Sequence, residues 1–287
     1  MEDPELEALR IESESQVLYE VKDKVVVITL NRPRQYNAMN IFHYWALEEH
    51  VKRAAEEPGT VATLIQSTGK YFSAGADVGS TASAPMAQSE GYKIDWMARR
   101  DLAGRFTGRN AIIADTFWNH PKVLVVALNG PVVGLTTGIV SLSDFIFARE
   151  NAFMLAPFAN LGLVAEGGAS FALPVRLGLS LANKALLAAE PIHADEMYRA
   201  GFVNQVFPAS MSTEEFNAEV LKYVQHRFST LSPQSLKEIK QLIHQPYQAH
   251  FSQANSAEII GGLDKFARGI PQERFALIAT GKLKHKL

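Results

Sequence analysis

The chain is 287 residues long, 47% hydrophobic and 20% charged, with 28 basic against 30 acidic side chains and a net charge of −2. That length holds one large domain or one domain with an appendage, and the lack of a basic field argues against nucleic acid as a partner. There is no cysteine, which excludes disulfide frameworks, thiolate nucleophiles and cysteine-bound metals and fits a reducing compartment.

Residues 1–14 carry six acidic side chains and one arginine, neither the basic start nor the apolar run of a secretory signal. Runs at 16–21 and 24–30, divided by Lys22 and Asp23, predict a β-hairpin. Ile41, Tyr44, Trp45, Leu47 and Val51 recur at helical spacing, so a helix is expected over 40–56 with Asn40 as its N-cap. Pro58 and Gly59 stop it, and a strand follows over 61–66. The weakly hydrophobic stretch 80–91 predicts a mobile loop. Strands are expected over 123–128, 144–148 and 152–155. The uncharged stretch 123–143 is broken by Asn129-Gly130-Pro131 and Gly134, so it predicts a buried strand, a turn and a helix start, with no membrane span. Helices are expected over 182–189, 193–200, 213–227, 233–244 and 257–268. The fold class is therefore α/β with βαβ-type units over 1–205, followed by a helical region over 206–287.

Phosphate-binding and serine-hydrolase motifs are missing, and the eight histidines have no metal-ligand spacing, so no metal site is expected. Between Ala152 and Val175 the one charged residue is Glu166. A carboxylate in such apolar surroundings is costly to bury unless paired or neutralised. It is either an exposed loop residue or cap for a helix starting near Ala169, or a base whose pKa desolvation lifts toward working pH. Two further segments, Tyr71 to Asp77 and Asn129 to Gly138, each run from a strand through small residues toward a helix. Each is a plain turn or a source of free N–H groups for an anion.

Together these segments resemble the crotonase superfamily of enoyl-CoA hydratases and isomerases. Asn37-Ala38-Met39 resembles the family's N-A-L, Phe72-Ser73-Ala74-Gly75-Ala76-Asp77 its F-x-x-G-A-D, and Asn129-Gly130-Pro131 through Gly134 its N-G-x-x-x-G. Gly162-Leu163-Val164 with Gly167-Gly168 resembles G-x-x-P-x-x-G-G, and His193-Ala194 through Gly201-Phe202-Val203 resembles A-x-x-x-G-L-V. The likeness runs from about residue 15 to 270. It implies a spiral of βαβ units with a C-terminal helical region used in homotrimers or homohexamers, and an acyl-CoA thioester as substrate. The thioester oxygen would lie between the N–H groups of Ala76 and Leu135. The substrate-binding positions would be Ala74, Gly75, Ala76, Asp77, Val78 and Leu135, with the 80–91 stretch beside the acyl chain and Arg34 near the CoA phosphates. No cofactor is implied, CoA being part of the substrate.

Departures from the family pattern bear on the reaction. Hydratases carry one glutamate where this chain has Gly138 and another where it has Phe158. Glu166, together with Pro157 to Gly162, resembles instead the peroxisomal Δ3,Δ2-enoyl-CoA isomerases. The resemblance implies that Glu166 takes a proton from C2 of a 3-enoyl-CoA and returns it at C4, giving the 2-trans-enoyl-CoA of β-oxidation. The alternatives are a hydratase, a dienoyl-CoA isomerase or a non-catalytic acyl-CoA-binding paralogue. The terminal His285-Lys286-Leu287 resembles a peroxisomal address read by an import receptor, so a peroxisomal location is expected.

Overall fold

β2 (Val25–Leu30) is buried along its whole length. Its side chains alternate between two apolar clusters, Val26, Ile28 and Leu30 on one face and Val25 and Val27 on the other. That double burial is the mark of a mostly parallel sheet covered on both sides. The computed structural model, which describes residues 4–77 and 108–282, builds the sheet around this strand. Val78, the 80–91 stretch and His285-Lys286-Leu287 lie outside the described residues.

β1 (Val17–Lys22) pairs antiparallel with β2 in the expected hairpin, Val17 opposite Leu30. On the other side β3 (Ala62–Ser67), β4 (Val123–Leu128), β6 (Phe145–Arg149) and β9 (Gln205–Phe207) follow in parallel. A second sheet holds β5 (Val132–Val133), β7 (Phe153–Leu155) and β8 (Ile192–His193). After β4 the chain passes to and fro between the two sheets. This is the winding that sets the small-residue turns side by side.

Helices cover both faces. α2 (Ile41–Glu56) starts at Asn40, whose Oδ1 accepts the N–H groups of Phe42 and His43 at 3.0 and 3.1 Å, as the N-cap expectation required. α7 (Thr213–Phe228) lays Phe216, Val220, Val224 and Phe228 on the Val25 and Val27 face. On the opposite side α3 (Arg109–Trp118), α4 (Leu135–Val140), α5 (Ala169–Leu186) and α9 (Gln248–Ala267) meet. Trp118 is central there, stacked on Phe251, edge-on to Phe171 and donating its indole N–H to Gln248 at 2.7 Å.

Several elements differ from expectation. α5 begins at Ala169 and is interrupted at Gly178, whose φ of 74° breaks the helical path, so the helix expected over 182–189 is the second half of a longer, kinked one. α1 (Pro4–Ser15) stands where an acidic terminus was noted, held by Arg10 between Glu7 and Glu14. α10 (Ile270–Ala279) follows α9 directly, and α6 (Ala194–Arg199) is shorter than expected.

α8 (Pro233–His244) has one buried side chain, Lys240. Its Nζ donates to Asp144 Oδ2 at 2.7 Å and to the Lys122 carbonyl at 3.0 Å. Asp144 also accepts the Leu124 N–H at 2.7 Å. Burial pushes the Asp144 carboxyl up, but Lys240, His244 and that amide together bring it below its usual value. Removing one partner of a buried pair leaves the other charged and desolvated. Lys240→Met should therefore cost about 3 kcal/mol, seen as a lower urea midpoint with unchanged slope. A midpoint equal to the parent's would show that the pair contributes nothing.

Candidate active site

The site is assembled from three backbone turns. In the first, Met39 N donates to Gly75 O at 2.8 Å and Asp77 N to Met39 O at 2.9 Å. This parallel bridge uses the groups flanking Ala76 and leaves the Ala76 N–H directed away from it. Ala74 N is tied to Tyr36 O at 2.9 Å, and Asp77 pairs with Arg32 at 2.8 Å. Asn37 holds the turn from beneath: its Oδ1 accepts the Arg32 N–H, and its Nδ2 donates to the Thr68 and Tyr71 carbonyls at 2.8 Å each. The second turn runs from Asn129 to Leu135. Asn129 is fully buried, accepting from Ser67 Oγ at 2.7 Å and donating to Gly69 O at 2.8 Å. Gly130 lies so close to the Lys70 carbonyl that any side chain would collide with it.

These two turns are in direct contact. Val133 N donates to Ser73 O at 3.0 Å, and a Cβ on Gly75 would lie 2.7 Å from the Val133 carbonyl oxygen. Gly134, at φ 65°, turns the chain into α4, so Leu135 contributes the first N–H of that helix, one of those without an intrahelical acceptor. The turns that carry Ala76 and Leu135 are thus in contact, with Ala74, Gly75 and Asp77 in the first of them.

The third turn carries Glu166. It is clamped between α4 and α9. A Cβ on Gly138 would collide with the Glu166 carbonyl oxygen and lie 2.9 Å from that of Gly167, while Gly261 of α9 bears on Val164 from the other side. Gly167 and Gly168 both have positive φ, 70° and 81°, which reverses the chain into α5. A glutamate at 138 is therefore sterically incompatible with this turn. Phe158 packs into the core, its carbonyl accepting the N–H groups of Leu161 and Leu163. Neither hydratase position offers a carboxylate.

Glu166 is half-buried and accepts a hydrogen bond from Asn110 Nδ2 at 3.0 Å. Burial raises its carboxyl to about 7; Arg109 opposes this, Glu258 adds to it and the Asn110 hydrogen bond opposes it. A carboxyl poised near neutrality is what a general base that must also return its proton requires. Arg109 is buried, donates to Asn110 Oδ1 through Nε and Nη2 at 3.0 and 2.7 Å, and lies over the Tyr44 ring at 4.7 Å. Tyr44 Oη, Thr136 Oγ1 and Ser73 Oγ lie in line at 3.4 and 3.3 Å, and Ser73 Oγ accepts the Gly75 N–H at 3.1 Å. One buried polar chain thus runs from the glutamate to both amide turns. Sequence inspection missed Arg109, Asn110 and Glu258. Each comes from a helix remote in sequence, with no local pattern to single it out.

The family model for enoyl-CoA hydratase/isomerase matches residues 20–260. A Δ(3,5)-Δ(2,4)-dienoyl-CoA isomerase of Pyricularia oryzae is 40% identical over 93% of this chain and 98% of its own. A 3,2-trans-enoyl-CoA isomerase of Saccharomyces cerevisiae is 31% identical over 96% and 99%. A crystal structure of an enoyl-CoA hydratase/isomerase from Pseudoalteromonas atlantica T6c superposes with a TM-score of 0.78 at 25% identity, covering 95% of this chain and all of the other. With matching turns, matching fold and relatives aligned end to end, the chain belongs to the enoyl-CoA hydratase/isomerase family.

Proposed function

We propose that the protein is an enoyl-CoA isomerase of unsaturated fatty-acid oxidation, converting 3-enoyl-CoA to 2-trans-enoyl-CoA with Glu166 as its only proton carrier. Ionised Glu166 removes a proton from C2. The electron pair spreads over the thioester, and the resulting oxyanion is held by the N–H groups of Ala76 and Leu135. Each such preorganised donor contributes roughly 3 kcal/mol to transition-state stabilisation. Neutral Glu166 then protonates C4, and the double bond ends at C2. The chemistry asks for no group beyond the CoA of the substrate itself.

The observation that carries this proposal is the mutual exclusion at Gly138. The backbone of the turn presenting Glu166 fills the space that a second carboxylate would need. With Phe158 at the other position, no acid–base pair remains to activate water for hydration. Retention of a desolvated glutamate beside two contacting amide turns speaks against a non-catalytic binding role. A second reading, 3,5-dienoyl to 2,4-dienoyl isomerisation, is favoured by the 40% identity to the Pyricularia protein of that name. It shares the first step and differs in returning the proton to C6. A peroxisomal location and a trimeric or hexameric assembly belong to the same proposal. The former draws on a 28% identical mouse relative named as peroxisomal.

The test is turnover of 3-hexenoyl-CoA and of a 3,5-dienoyl-CoA by the parent and Glu166→Gln proteins. We expect parent turnover of the 3-enoyl substrate and a loss of about a thousandfold in the variant at unchanged circular dichroism. Preferential turnover of the dienoyl substrate would select the second reading, and a variant within tenfold of the parent would remove Glu166 as the base. The hydrogen bond from Asn110 favours the ionised form, so its removal should raise the Glu166 pKa further above its ordinary value. Asn110→Ala should move the acid limb of the kcat/KM profile upward by about one unit, with a larger loss at pH 6 than at pH 9. A downward or absent shift would contradict this assignment.

A further inference from the structure

Glu258, on α9, is 7% exposed and has no part in the mechanism above. Its Oε2 accepts the N–H of Gly168 at 2.8 Å and its Oε1 the N–H of Ser170 at 2.7 Å. α5 begins here with no side-chain cap of its own, because its N-cap is Gly168. The carboxylate of a different helix thus takes the place of an N-cap side chain. The amides it holds lie two and four residues beyond Glu166, on the turn that presents it. Asn255, one turn earlier on α9, donates to the Ala111 carbonyl at 3.1 Å and fixes α9 against α3. Asn110, Glu166, Asn255 and Glu258 line one small common cavity of about 10 Å³. It has room for about one water molecule.

We infer that Glu258 is a positioning residue for the base: it pins the turn that presents Glu166 and keeps a second negative charge beside it. This inference rests on the assignment of Glu166 as base. Among the described residues, the ionisable groups facing Glu166 are Tyr44 from α2, Arg109 from α3 and Glu258 from α9. α4 presents none, and α10 adds Arg274 beside Gly162. Arg109 favours the ionised base, and Glu258 opposes it. Burial pushes the Glu258 carboxyl up, while the hydrogen bonds it accepts from Ser170 and Gly168 draw it back toward the ionised form, in which both oxygens accept.

Neutralising Glu258 should therefore make Glu166 more acidic. In Glu258→Gln the acid limb of kcat/KM should move down by about half a unit to one unit, with kcat lowered and KM within twofold of the parent. Glu258→Asp, which keeps the charge, should leave the limb near that of the parent. A uniform loss at every pH with the limb unmoved would reduce Glu258 to a structural cap and overturn the inference. Isotope-edited infrared titration of the carboxyl groups in the parent and Glu166→Gln proteins tests the charge independently of whether Glu258→Gln folds. Glu258 should be ionised at pH 6, and a protonated Glu258 there would overturn the inference. Failure of the base assignment would appear separately, as isomerase activity surviving in Glu166→Gln.

Discussion

The contact between the Glu166–Gly167 backbone and Gly138 fixes what this site is able to do. It packs the backbone of the turn that carries Glu166 against the helix whose first residue is Leu135, and it leaves no room for a carboxylate side chain at position 138 of that helix. That exclusion is made by main-chain packing, which a single side-chain replacement does not reverse. Gly167 reinforces it, since a Cβ there would lie 2.8 Å from Leu135 Cδ1.

The surroundings of the Glu166 carboxyl act in both directions, and the pressure toward its neutral form prevails. Burial and Glu258 push the carboxyl toward its neutral form, while Arg109 and Asn110 draw it back. The outcome is a group that gains and loses a proton near neutrality, as the proposed role of base and then acid requires. A chain of polar contacts through Arg109, Tyr44, Thr136 and Ser73 leads from it to the two amide turns. Tyr44 is fully buried there, and burial pushes its hydroxyl pKa up, so it stays protonated and able to donate. Partly satisfied buried networks are costly, so the integrity of this chain is a structural requirement.

Much of this was legible from the residues. Glu166 stood out because a charge in an apolar, glycine-flanked segment needs a physical reason. The two amide turns stood out because each runs from a strand through small residues toward a helix, where N–H groups are left free; the structure adds close backbone approach at Gly75 and Gly130. The hairpin, α2 with its Asn40 cap, and the central strands followed from periodicity and capping chemistry. Elements of two or three residues, such as β8 and β9, are too short to show a period. α5 was misplaced because Gly178 divides its apolar pattern. Asn110 and Glu258 were invisible for another reason: their roles are set by tertiary approach of helices, and neither sits in a local pattern that demands a function.

Whether one sheltered carboxyl carries the proton is most directly measured with a 3-enoyl-CoA deuterated at C2, turned over once in ordinary water. A single-residue shuttle predicts deuterium at C4 of the 2-enoyl product in a substantial share of molecules. A product whose C4 hydrogen comes entirely from solvent at every pH would contradict it.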